Sequence, residues 1–186
     1  MLIGYMKNAI KIAFSIFALA SLFACASPAE VQNMVVRDTS LMAPGTSPFA
    51  GNLMISEVRG GEATNPLWTS EVDNESFRGA LQQSLLSTGY LSSDPAKATF
   101  SVEAELSDLD QPIFGLDLTV RSLIRYRIQN QSTIDVWFDE PVIVSYTATF
   151  GDAAIAIKRL RLANEGSIRL NIESFLRKIK NITKKP

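Results

Sequence analysis

Residues 116–128, with the sequence LDLTVRSLIRYRI, alternate between two kinds of side chain. The even positions are mostly apolar, whereas the odd positions include Asp117, Thr119 and three arginines. A period of two over this length is typical of a long β-strand with one buried face. The sequence therefore predicts a strand whose arginines lie on the face turned away from the core.

Two neighbouring stretches repeat this alternation, at residues 99–107 and 134–150. Clusters of turn residues separate the stretches, at 111–115 and 130–133. Short turns between alternating strands predict an antiparallel meander with one apolar face. Pro141 lies inside the third stretch, and because proline cannot donate to the ladder, this strand is predicted to be an edge or to carry a bulge.

Upstream of the meander, residues 52–58 predict a first strand and Asp73 or Asn74 predicts the start of a helix. The helix has apolar residues at helical spacing, at Phe77, Leu81 and Leu85, and Gly89 is placed to end it.

Downstream, residues 157–182 have apolar positions at helical spacing, and Gly166 inside them would permit a bend. The predicted order is strand, helix, three strands, helix. We therefore expect an α+β fold, a two-layer sandwich in which two helices cover one face of an antiparallel sheet of about four strands. The other face of the sheet is left to water or to a partner.

The start of the chain has the features of a secretory signal, with Lys7 and Lys11 before a short apolar run that ends at Cys25. The segment Leu22-Phe23-Ala24-Cys25 resembles the lipobox of bacterial lipoproteins. This resemblance implies a signal peptide over residues 1–24 and acyl chains, palmitate among them, on Cys25. Translation would start at Met1 or at Met6. The alternative is an ordinary signal peptide or a short membrane anchor that happens to end in a cysteine.

Ala26 stands where many lipoproteins of the inner membrane carry aspartate, so the resemblance favours the outer membrane, with the protein facing the periplasm. Residues 25–50 contain three prolines and several small residues, and they predict a lipidated flexible tether. The remaining residues, 51–186, are long enough for one periplasmic domain.

The chain has no histidine, which removes the commonest general base and the commonest metal ligand. Ser-His-Asp and Cys-His arrangements are therefore excluded. Asp108 and Asp110 offer too few oxygens at calcium-loop spacing and predict a solvated turn. We expect no enzymatic activity, no cofactor, no metal and no nucleic-acid partner.

The three arginines of the long strand, Arg121, Arg125 and Arg127, form the main candidate site. Together they could bind the phosphate of an anionic lipid. Alternatively they pair across strands with acidic neighbours, for which the candidates are Glu103, Glu105, Asp135 and Asp139. Trp68 and Trp137 are candidate contacts for a partner, or they pack beneath a loop.

The lipobox, the tether and the predicted element order, with the run 159–165 leading into the last helix, resemble small envelope lipoproteins of the LptE type. The same order is similar to the auxiliary lipoproteins of ABC-type lipid transporters, the PqiC-like group. These resemblances imply a non-enzymatic protein that assists the assembly or transport of envelope lipids. Its partner would be an outer-membrane β-barrel or an ABC-transporter component. A sensor module that binds peptidoglycan or another ligand remains the alternative.

Overall fold

The structure is a computed structural model that describes residues 27–63, 71–112 and 114–183. The helices are α1 (Val31–Met34), α2 (Asn74–Ser87) and α3 (Ala156–Lys180), and the strands are β1 (Leu53–Arg59), β2 (Phe100–Asp110), β3 (Leu118–Asn130) and β4 (Val136–Ala148). Within those ranges, no helix combines the length and the apolarity that crossing a bilayer requires. The predicted signal peptide and Cys25 lie outside the described residues.

The four strands form one sheet in the order β1-β2-β3-β4. The meander is confirmed, because β2 pairs antiparallel with β3 and β3 pairs antiparallel with β4. Pro141 lies in β4, at the edge of the sheet, opposite Arg125. The α+β fold with one layer of helices on one sheet is therefore confirmed.

The direction of β1 differs from the prediction, because β1 runs parallel to β2 and the sheet is mixed. The cause is the connection between them. Helix α2 carries the chain from the end of β1 back to the level at which β1 began, so β2 starts in the same direction. The alternation within a strand shows which face is buried, but it is the same for a parallel and an antiparallel partner.

One core joins both long helices to the same face of the sheet. Within it, Phe175 of α3 and Tyr126 of β3 stack with ring centroids 4.1 Å apart. Phe77, Leu81 and Leu85 of α2 belong to the same cluster. The burial of β3 alternates along nearly its whole length, so the predicted parity of residues 116–128 is confirmed over the strand itself.

The prediction of a flexible tether over residues 25–50 is wrong for the described part of that segment. Residues 31–34 form α1, residues 39–41 form a short 3-10 helix, and Met34, Leu41 and Phe49 are buried in the main core. The prolines and small residues make turns between these anchors instead of a free linker. Composition shows where a chain turns, but the apolar side chains between the turns decide whether it docks.

The predicted ends of α2 are confirmed. The side chain of Asp73 accepts a hydrogen bond from the backbone N–H of Ser76, and Gly89 follows the helix with φ +76°. Helix α3 is continuous through Gly166, where a Cβ would lie 2.3 Å from Cδ1 of Tyr146. Gly166 therefore allows the ring of a β4 residue to pack against the helix.

Candidate functional site

The side of the sheet that the helices leave uncovered is the candidate site, and we call it the open face. Its outward side chains alternate with the buried ones on all four strands. Among them are Glu57, Arg59, Glu103, Glu105, Asp108, Asp110, Arg121, Leu123, Arg125, Arg127, Asp139 and Ile143. The three predicted arginines of β3 all lie on this face.

A β-bulge brings two carboxylates to the open face. The register of β2 shifts between Leu106 and Asp108, and Asp110 then lies opposite Arg121. An extra residue in one strand reverses the parity beyond it, so the even positions Asp108 and Asp110 join the odd positions before the bulge. The sequence predicts a turn for both aspartates, because the alternation of β2 breaks at this point.

Two arginines of the open face, Arg59 and Arg125, are paired with carboxylates of neighbouring strands. Nε of Arg125 donates to Oδ1 of Asp139 at 2.6 Å, and this bond holds the pKa of Asp139 below its usual range. On β1, Arg59 contacts Glu57 at 3.0 Å and Glu105 at 2.9 Å. The contact between Arg125 and Asp139 agrees, for Arg125, with the alternative of cross-strand pairing that the sequence left open.

A shallow depression of about 180 Å³ lies among these charges. Its lining carries four carboxylates and three guanidinium groups, from Glu57, Glu103, Glu105, Asp139, Arg59, Arg125 and Arg127. An anion entering the depression would meet the guanidinium groups of Arg59 and Arg125 beside oxygens of the same charge as its own. This arrangement of charges therefore does not favour a phosphate group at this surface.

An apolar pair lies between the charged residues. Leu123 of β3 and Ile143 of β4 are directly opposite each other, and Ile143 is about half exposed. Apolar side chains ringed by charged ones are the usual composition of a protein interface. The pair was not among the predicted site residues, although both residues are apolar at odd positions, the parity that carries the charged side chains of these strands.

Trp137 does not lie on the open face. The register shift near the β3–β4 turn pairs Ile128 with Phe138 and Gln129 with Val136, which skips Trp137. The indole packs on Phe100 and on Phe49 of the N-terminal segment, with ring centroids 5.2 and 6.0 Å away. Trp137 therefore matches the alternative prediction, a tryptophan packed beneath neighbouring chain. Trp68 lies outside the described residues.

A larger cavity of about 450 Å³ lies beside the bulge of β2. Its charged lining is acidic, from Glu62, Glu71, Asp108 and Asp110. In the described part of the chain, no three acidic, histidine or cysteine side chains are grouped so that they could hold a metal ion. The acidic lining makes this cavity a second surface that does not suit an anionic lipid.

Comparison with known proteins shows likeness at the level of fold. No family model and no curated protein matches the sequence. A Xanthomonas campestris protein of the DUF330 family is 8% identical with a TM-score of 0.53, and the match covers 74% of this chain and 89% of that one. A presumed lipoprotein of Caulobacter crescentus is 11% identical with a TM-score of 0.49, and the match covers 74% of this chain and 93% of that one. A minor lipoprotein of Acinetobacter baumannii is 9% identical with a TM-score of 0.46, and the match covers 70% of this chain and 93% of that one. The chain thus shares the fold of the Xanthomonas protein.

Proposed function

We propose that the protein is a non-enzymatic, lipid-anchored envelope protein of the outer membrane that assists the assembly or transport of envelope lipids through a membrane-protein partner. The proposal of a protein partner is supported above all by the apolar pair Leu123 and Ile143 on the open face, which is bordered by paired charges. The anchor is supported by the segment Leu22-Phe23-Ala24-Cys25. The transport role is supported by the resemblance of the element order to LptE-type and ABC-auxiliary lipoproteins.

A protein partner suits the open face for two physical reasons. The ion pairs hold several side chains in fixed positions, so little side-chain freedom is lost on docking. The exposed Ile143 offers apolar area whose removal from water is favourable by about 25 cal/mol per Å², before the costs of association are subtracted.

Photo-crosslinking in cells tests the partner. A photoreactive residue at Ile143 of the full lipidated chain is expected to crosslink a membrane protein, and the same residue at Leu86, exposed on α2, is the matched control. An outer-membrane β-barrel captured only from position 143 supports the LptE-like role. An inner-membrane transporter or its periplasmic chain supports the ABC-auxiliary role. No membrane protein from position 143 would overturn the proposal in favour of a stand-alone binding module.

Metabolic labelling tests the anchor. Cells given an alkyne analogue of palmitate are expected to incorporate it into the protein, and Cys25→Ser is expected to abolish the label and leave a longer, uncut chain. Ser27→Ala, two residues away, is the control that keeps both the label and the cut. A label that survives Cys25→Ser would overturn lipidation at this residue.

A further inference from the structure

Four large apolar side chains are exposed together at one end of the molecule. Phe114 and Leu116 lie in the β2–β3 connection with exposed fractions of 87% and 76%, and Phe150 and Ile155 lie between β4 and α3 with 54% and 56%. We call these four residues the apolar tip. Their exposure costs solvation free energy, so a surface that covers them would be favoured.

The two loops of the apolar tip are held together by hydrogen bonds. The backbone N–H of Phe150 donates to Oδ1 of Asp117 at 3.0 Å. The buried guanidinium of Arg159 donates to the carbonyls of Ala153 and Ala154 on one loop and of Gly115 on the other. The side chains therefore project from one connected surface.

The N-terminal segment reaches the same end of the molecule. The backbone N–H of Ala29 donates to the carbonyl of Glu71 at 3.4 Å, and the carboxylate of Glu71 accepts from Gln111 at 2.8 Å. Gln111 is three residues before Phe114. Glu30 also pairs with Arg161, two residues beyond the Arg159 that binds the tip loops. The chain thus enters the folded domain beside the apolar tip.

This position matters because the tether is short. Residues 29–50 are packed on the domain. Ala29 is four positions after Cys25, a reach of about 14 Å when the chain is fully extended. Acyl chains on Cys25 would hold this end of the domain against the bilayer. A long flexible tether would leave the orientation of the domain free, whereas this short one turns the apolar tip to the lipid.

We propose that the apolar tip enters the interfacial region of the same bilayer leaflet that holds the acyl chains of Cys25. This inference rests on the lipid anchor of the proposed function. The tip would add a second membrane contact, which fixes the orientation of the domain and points the long axis of the strands away from the membrane. The occupant is the lipid surface, because the covalent anchor brings that surface within reach of the tip.

A depth-sensitive fluorophore tests the inference on the full lipidated protein in vesicles of phosphatidylethanolamine and phosphatidylglycerol. Leu116→Cys is labelled with a nitrobenzoxadiazole thiol reagent, and Ile134→Cys is the matched control. Ile134 is exposed in the β3–β4 turn, about 40 Å away along the strand. Lipids that carry a spin label near the top of the acyl chain are expected to quench the label at position 116 at least twofold more than the label at 134.

The number of fluorophores per chain distinguishes a failure of the lipid anchor from a failure of this inference. A lipidated Cys25 has no free thiol, so one label per chain is expected. Two labels per chain would overturn the lipid anchor and this inference with it. One label per chain with equal quenching at positions 116 and 134 would overturn the inference alone. Emission at 116 that shifts to the blue with rising protein density, without lipid quenching, would also overturn it and would indicate that a second copy covers the tip.

Discussion

The backbone N–H of Glu30 donates a hydrogen bond of 2.8 Å to Oε1 of Glu165, which is 135 positions away in sequence. The other carboxylate oxygen of Glu165 accepts from the side chain of Asn33 at 2.9 Å, and Arg161 lies 3.6 Å from the first. One nearly buried carboxylate thus joins the N-terminal segment to α3. Because of this contact, the domain begins close to the predicted lipid anchor.

Replacing Glu165 with alanine is expected to release the N-terminal segment. The substitution leaves the N–H of Glu30 and the amide of Asn33 without their acceptor, at a cost of about 1 to 3 kcal/mol in the free energy of unfolding. Limited proteolysis should then cut between residues 30 and 50 faster. Glu173→Ala, which removes only an ion pair with Arg177, should leave the cutting rate unchanged. Equal rates for the two variants would contradict the role of Glu165.

The pKa of the same carboxylate leads us to expect that stability depends on pH. Burial raises the pKa of Glu165 above its ordinary value of 4.5. The folded state therefore holds this proton more tightly than the unfolded state, and the stabilisation is fully present below the unfolded pKa and lost as the pH rises through the folded one. The free energy of unfolding, measured with urea at several pH values from 4 to 7, should fall less steeply with rising pH for Glu165→Gln than for the wild type. If the free energies of unfolding of the two proteins change with pH in parallel, Glu165 does not contribute to the pH dependence.

Phe49→Ala is expected to destabilise the whole domain. Phe49 is fully buried and packs edge to face on Phe100 at 5.1 Å, so the cavity should cost about 3 to 5 kcal/mol. Met42→Ala, at an exposed position of the same segment, should cost much less. Chemical denaturation of both variants is the measurement. A loss at Phe49 as small as the loss at Met42 would mean that the segment is not part of the cooperative core.

Gly166→Ala is expected to destabilise the protein, although helix propensity alone would favour alanine. Alanine in a helix interior is normally favoured over glycine by about 1 kcal/mol. Here the new Cβ would collide with the ring of Tyr146, so we expect a loss of about 1 to 3 kcal/mol in the free energy of unfolding. In a Tyr146→Ala background the same substitution should become neutral or stabilising. Gly45→Ala, which has open space around it, is the control that should change little.

The paired charges of the open face predict weak binding of simple anions. Addition of inorganic phosphate at constant ionic strength should leave the melting temperature of the full protein unchanged, whereas occupation of a specific site would raise it by mass action. The Arg121→Gln, Arg125→Gln double variant should behave identically. A phosphate-dependent rise that the double variant abolishes would restore the anionic-lipid hypothesis for these arginines.

Much of the fold could be predicted from local pattern alone. The parity of β3, the N-cap at Asp73 and the end of α2 before Gly89 follow from the geometry of a single strand or helix, which repeats every two or 3.6 residues. The candidate arginines were placed on the correct side of the sheet for the same reason. The bulges that turned Trp137 toward the core and Asp110 to the open face could not be predicted, because a bulge changes the parity at one residue without a strong local signal.

The sequence by itself determined the order of elements, the buried side of each long strand away from its bulge and the prediction of lipidation at Cys25, because periodicity and short motifs act over a few neighbouring residues. Tertiary structure decided the parallel direction of β1, the docking of residues 29–50 through Glu165 and Phe49, and the assembly of the apolar tip from two loops. These features depend on contacts between residues far apart in the chain, whose free energies are set by the packing of the complete fold.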